Sequence, residues 1–163
     1  MRIIQWLFLV SVALFISGIG FVIAAARTSR EAPPAAETAP APVPVASVAQ
    51  IMSAITQPSA VAVYNAVGTI INADGIKEIE PQNDEEWAAV AAQAAALVES
   101  GNLLLMGDRL VDNGDWVTMT RAMIERGQLA VKAAQARDKE GILDAGSYIN
   151  ETCDNCHAKY QRQ

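Results

Sequence analysis

The chain has 163 residues, enough for one domain and an appendage. Its formal charge is −6, and from Ala46 onward 9 Lys/Arg stand against 16 Asp/Glu, or 9 − 16 = −7, which argues against a nucleic-acid partner. Hydrophobic residues make up 52%, high for a soluble domain, and part of the excess lies in one N-terminal run; the acidic balance suits solubility and docking onto a partner with a basic patch.

That run is Ile3 to Ala26, 24 residues without a charge, flanked by Arg2 and by Arg27 and Arg30. As a helix it would be about 36 Å long, enough for a bilayer core of about 30 Å. Cleaved signal peptides usually carry an apolar region of only about 7–15 residues, so length favours an uncleaved anchor over 1–27. Ala24-Ala25-Ala26 nevertheless has the small side chains of a cleavage site. The expected location is therefore a bacterial inner membrane with the rest of the chain in the periplasm, or free in the periplasm if the segment is removed. No cysteine follows the run, which excludes a lipid-anchored form. Residues 28–45 are rich in Ala and Pro, including Pro33, Pro34, Pro40, Pro42 and Pro44. Such chain is extended, and 18 residues of it reach up to about 55 Å at about 3.1 Å each.

Residues 46–163 carry four helical patterns and almost no strand signal. The first, from about Ala46 to Ile71, repeats Val48, Ile51, Met52 and Ile55 at helical spacing. Pro58 bends or ends it, with Ser59 able to cap a continuation through Val61, Tyr64, Val67 and Ile71. Asn72-Ala73-Asp74-Gly75 reads as a turn opening a loop that lasts to Pro81-Gln82-Asn83. The second pattern begins near Asn83, with Asp84, Glu85 and Glu86 favouring its positive end. Its stripe is Trp87, Val90, Ala91, Ala94, Leu97 and Val98, with a continuation through Leu103 to Met106 despite Gly101. The third starts near Asp115 and carries Trp116, Met119, Met123, Ala130 and Ala134. The fourth starts near the cap residue Asp138 and places Ile142, Gly146, Ile149, Cys153, Cys156 and Tyr160 at steps of four, three, four, three and four. Four helices with short loops predict an all-α, antiparallel up-down-up-down four-helix bundle.

The last pattern ends in Cys153-Asp154-Asn155-Cys156-His157, the C-x-x-C-H signature of covalent haem attachment. On a helix, residues at i, i+3 and i+4 leave from one face, so two thiols can reach the vinyl groups of a haem while the imidazole reaches the iron. The competing readings are weaker. Structural zinc needs four N/S ligands, and this chain has two cysteines and one histidine. A redox dithiol is expected at a helix start after a strand, and a disulfide between i and i+3 of a helix is strained.

In an antiparallel bundle the end of the fourth helix lies beside the start of the first and third and the end of the second. The haem would then sit inside the bundle, among Met52, Met106, Trp116, Met119 and Met123. Methionine is the usual sixth ligand opposite histidine in electron-carrying cytochromes, although it is also a common core filler. Met52 lies about as far into the first helix as His157 lies from the end of the fourth, so it leads as ligand, with Met106 next.

These residues resemble the class II cytochromes c, the cytochrome c prime superfamily, over about Val45 to Gln163. Cys153, Cys156, His157 and the aromatic Tyr160 match the motif of its last helix. Met52 matches the first-helix site that holds the sixth ligand in low-spin members and a blocking apolar residue in high-spin ones. Asn102-Leu103-Leu104-Leu105-Met106 and Ala73-Asp74-Gly75-Ile76 resemble a membrane-anchored or exported subgroup. Val48 departs from the basic residue many high-spin members carry one turn before the distal site, which leaves Arg109 or Arg121 as candidates for the haem propionates. The resemblance implies one covalent haem c, electron transfer with redox partner proteins in the periplasm or inner membrane, and a capacity to pair as a homodimer. The alternative is a five-coordinate haem protein that binds or senses NO or CO, with Met52 beside the iron. No grouping of His, Glu or Ser suggests an enzyme.

Overall fold

The computed structural model describes residues 2–28 and 42–161, and the side chains of these except at 18 and 20–28. They belong to two compact units, Met1–Pro42 and Val43–Gln163. The first holds helix α1, Arg2–Thr28, which covers the uncharged run. Among the described residues no helix is long and apolar enough to cross a membrane. The expected linker over 28–45 lies outside the described residues except at Thr28, the last residue of α1, and at Pro42 to Val45, which have no regular structure.

The second unit is mostly helical and contains a two-stranded sheet. Helix α2 comprises three consecutive segments: α-helical Val48–Ile51, π-helical Met52–Thr56 and α-helical Gln57–Tyr64. Strands β1, Gly68–Asn72, and β2, Gly75–Ile79, follow. Then come α3, Asp84–Leu104, a 3-10 turn at Gly107–Arg109, α4, Asp115–Ala136, and α5, Lys139–Tyr160. Successive helices pack on one another, and α2 also packs on α5.

Local chemistry sets the boundaries. Ser47 and Gln50 form a reciprocal capping box at the start of α2. Asn83 Oδ1 accepts the Glu86 amide, with Asp84, Glu85 and Glu86 in the first turn of α3. Asp138 accepts the Gly141 amide and starts α5. Between α4 and α5, Arg137 turns the chain at φ 56°, a left-handed cap of the kind that ends helices sharply.

Two expectations are corrected. The fold is not strictly all-α, because Gly68–Asn72 and Gly75–Ile79 form an antiparallel hairpin in place of a helix tail and a loop. Thr69, Ile70, Ile71 and Ile76 are β-branched, and the pairing of Asn72 with Gly75 leaves a two-residue turn. Asn72 Oδ1 accepts the Asp74 amide at 3.0 Å, and Gly75 takes a φ of 126° that other residues avoid. Lys139 pairs with Glu78 and Glu80, tying this hairpin to the start of α5. Secondly, Pro58 neither ends α2 nor leaves Ser59 as a cap: the helix runs through it, and the Ser59 hydroxyl donates to Gln93 Oε1 on α3 at 3.2 Å.

The core runs through Ile51, Val63, Leu97, Ile142 and Ile149, each at most 2% exposed. Burial of each such side chain contributes about 1.5–3 kcal/mol. Alanines and glycines let the helices approach: Ala94, Ala130 and Ala134 are buried. A Cβ at Gly101 would come within 2.5 Å of Ile124 Cγ1, and one at Gly127 within 2.8 Å of Val98 Cγ2.

Candidate functional site

Helix α5 presents the motif. Its buried face of Ile142, Ala145, Gly146 and Ile149 fixes the rotation of the helix. The same face then opens, leaving Cys153 and Cys156 half-buried with free thiols and His157 exposed at the rim. The end of α5 is pinned. The Tyr160 hydroxyl donates to Asp112, Lys159 pairs with Asp115, and the Tyr160 ring meets Trp116 edge-on with centroids 5.1 Å apart. Trp116 Nε1 in turn donates to Leu104 O at 3.0 Å. The end of α5, the start of α4 and the end of α3 are thereby held together.

Beside the motif lies a cavity of about 780 Å³, within the roughly 300–1,000 Å³ common for cofactor and small-molecule sites. Cys153, Cys156 and His157 line one wall, with Asn150 and Asp154 at its exposed edge. Helix α2 lines the facing wall with two rows at strict steps of four. Val48, Met52, Thr56, Ala60 and Tyr64 are the inner row, and exposed Ala49, Ser53, Gln57 and Val61 the outer. Leu104, Trp116, Met119, Thr120 and Met123 complete it from α3 and α4.

Several polar groups on the walls are already paired. The Thr56 hydroxyl donates to Ser100 Oγ at 3.0 Å, and Ser100 donates to Leu97 O at 2.7 Å. Burial pushes the thiols of Cys153 and Cys156 above the ordinary cysteine range, with a hydrogen bond from Tyr64 opposing it at Cys153. Burial also raises Tyr64, helped by its neighbour Cys153.

The expected residues separate cleanly. Met52, Cys153, Cys156 and His157 share this cavity, joined by Trp116, Met119 and Met123. Met106, the second candidate, is not among the residues lining it and precedes the 3-10 turn. Arg109 and Arg121 do not line it either, and Arg109 is buried with its Nε unpartnered. The expectation of an enclosed site needs adjustment, because exposed residues of α2 and α5 border the cavity. Tyr64 and Thr56 are wall residues that the sequence pattern does not single out, since their alignment with Met52 depends on the π turn at Met52–Thr56.

No protein-family model matches this chain, and no curated protein or solved structure gives a significant match. The donor set itself fits a haem: two thiols, an imidazole and a thioether around one largely apolar cavity. A bare metal ion finds less, since among the described residues no three His, Cys, Asp or Glu side chains gather to hold one.

Proposed function

We propose that this chain is a membrane-tethered, periplasmic c-type cytochrome that transfers electrons, its second unit an antiparallel four-helix bundle around one covalent haem c. The carrying observation is that Met52, Cys153, Cys156 and His157 line one cavity of about 780 Å³. The bundle reading is supported by the packing of α2 on both α3 and α5, and by the Arg137–Asp84 ion pair of 2.7 Å, which brings the end of α4 to the start of α3. The tether rests on the uncharged length of Ile3 to Ala26.

The bound haem would supply a one-electron couple. The protein's part is holding and shielding. Cys153 and Cys156 would hold the haem through thioethers, each formed by addition of its Sγ–H to a vinyl group with no net change in redox state. His157 would supply its nitrogen ligand, and Met52 its sulfur ligand from the facing wall. Leu104, Trp116 and Met123 exclude water from the side of α3 and α4, which favours a raised potential. The acidic surface steers a basic partner toward the molecule.

A second reading, a five-coordinate haem that takes up NO or CO, draws on the apolar wall formed by Met119 and Met123 beside Met52. Adding CO to the reduced protein separates the two. A carrier with Met52 on the iron resists CO when reduced and, when oxidised, shows a weak thioether-to-iron band at long wavelength, and Met52→Ala abolishes both properties. Rapid CO binding by the unsubstituted protein would instead favour the gas-binding reading.

A further inference from the structure

The inner row of α2 raises a geometric problem that its π turn answers. An α-helix rotates about 100° per residue, so a row at steps of four drifts about 40° each step, or about 160° over four steps. Val48 and Tyr64 are four such steps apart, yet both line the cavity together with Met52, Thr56 and Ala60. The segment Met52–Thr56 is π-helical, and the Gln57 amide donates to Met52 O, five residues back. The wide turn absorbs one extra residue and takes back about 100° of rotation, leaving about 60° of drift. Burial records the same step: Ile51 and Thr56, five apart, are both buried, whereas the following buried positions Ser59, Ala60 and Val63 keep α-helical spacing.

Pro58 explains why the wide turn forms where it does. Its ring would strike the carbonyl of Ala54 in a regular α-helix, and it has no N–H to donate there. With the turn widened just before it, Pro58 falls in the first turn of the next α segment, where proline costs little. The downstream segment cannot rotate to compensate, because Ser59 is bonded to Gln93 and Val63 is fully buried, and Thr56, which closes the π turn, is held by Ser100.

We infer that Pro58 is a positioning residue for the sixth iron ligand: the π turn it enforces rotates Met52 into line with the cavity wall that Ala60 and Tyr64 occupy. This rests on the cytochrome reading above, with Met52 as ligand. Removing Pro58 lets α2 relax toward regular α-helix, which swings Met52 by about 100°. Deleting the exposed Ala54 as well removes the surplus residue, so a regular helix restores the original relation between Met52 and Tyr64.

The test uses the full exported chain carrying haem, compared with Met52→Ala, Pro58→Ala, and Pro58→Ala combined with deletion of Ala54. CO binding to the reduced protein and the long-wavelength thioether band of the oxidised protein are the readouts. Pro58→Ala is expected to lose the band and take up CO as Met52→Ala does, and the combined variant to regain both wild-type properties. A Pro58→Ala protein with an unchanged band, or a combined variant that binds CO like Met52→Ala, would overturn the inference while leaving the cytochrome reading intact. Should Pro58→Ala fail to fold, the combined variant decides alone, since a one-residue deletion in a helix without a surplus residue would misdirect Met52. If the unsubstituted protein already binds CO as fast as Met52→Ala, the ligand assignment fails and this inference falls with it.

Discussion

Tyr160 follows His157 by three residues, and its hydroxyl fixes the end of α5 by donating to Asp112. That bond, followed by those from the Gly114 and Trp116 amides, holds the Asp112 carboxyl below the usual carboxylate range. A depressed carboxylate stabilises the fold above its unfolded pKa of about 4, and that contribution is lost as pH falls through the lower folded value. Tyr160→Phe is therefore expected to lower stability at pH 7, with the gap from the unsubstituted protein narrowing below about pH 4. Urea unfolding at pH 7 and pH 3 measures it, and a gap equally wide at both would contradict the assignment. The motif stands out at this scale because the chain's only histidine and only two cysteines fall within five positions. Tyr64 does not, since its place on the wall depends on a backbone irregularity that periodicity does not encode.

Among the helices, the pairing of α3 with α4 depends on glycine. A methyl at Gly101 would lie 2.5 Å from Ile124 Cγ1 and 3.1 Å from Met123 Cε. Alanine gains about 1 kcal/mol of helix propensity there, whereas overpacking costs about 1–3 kcal/mol. Because Ile124 is β-branched and Met123 lines the cavity, the cost should prevail. Gly101→Ala is expected to lower the melting temperature by a few degrees, as about 1 kcal/mol does in a domain of this size. An unchanged or higher value would mean that Ile124 yields freely. The starts of α3 and α5 were readable from Asn83 and Asp138, whose side chains do cap them. The hairpin was not, because Val63 and Val67, both buried, extend the helical rhythm past Tyr64 and disguise the β-branched run that follows. What separates the two readings is Gly68 and the tight turn at Ala73-Asp74, which become decisive only once Ile71 pairs with Ile76.

For the whole molecule, helical content and the meeting of the motif with Met52 of α2 were both foreseeable, since helices of about 17–22 residues packed in succession bring their ends together. The shape of the cavity was not, because it depends on how far α2 stands from α5, and no spacing rule sets that distance. The acidic excess and the uncharged N-terminal run fit a tethered carrier, yet the reading depends on the cysteines being consumed by a cofactor. Intact mass of the protein purified from cells with an active haem-ligation system, before and after thiol alkylation, tests this most directly. The expected result is a chain heavier by one haem with no thiol left to alkylate. A chain of polypeptide mass alone, taking up two alkyl groups at Cys153 and Cys156, would contradict it.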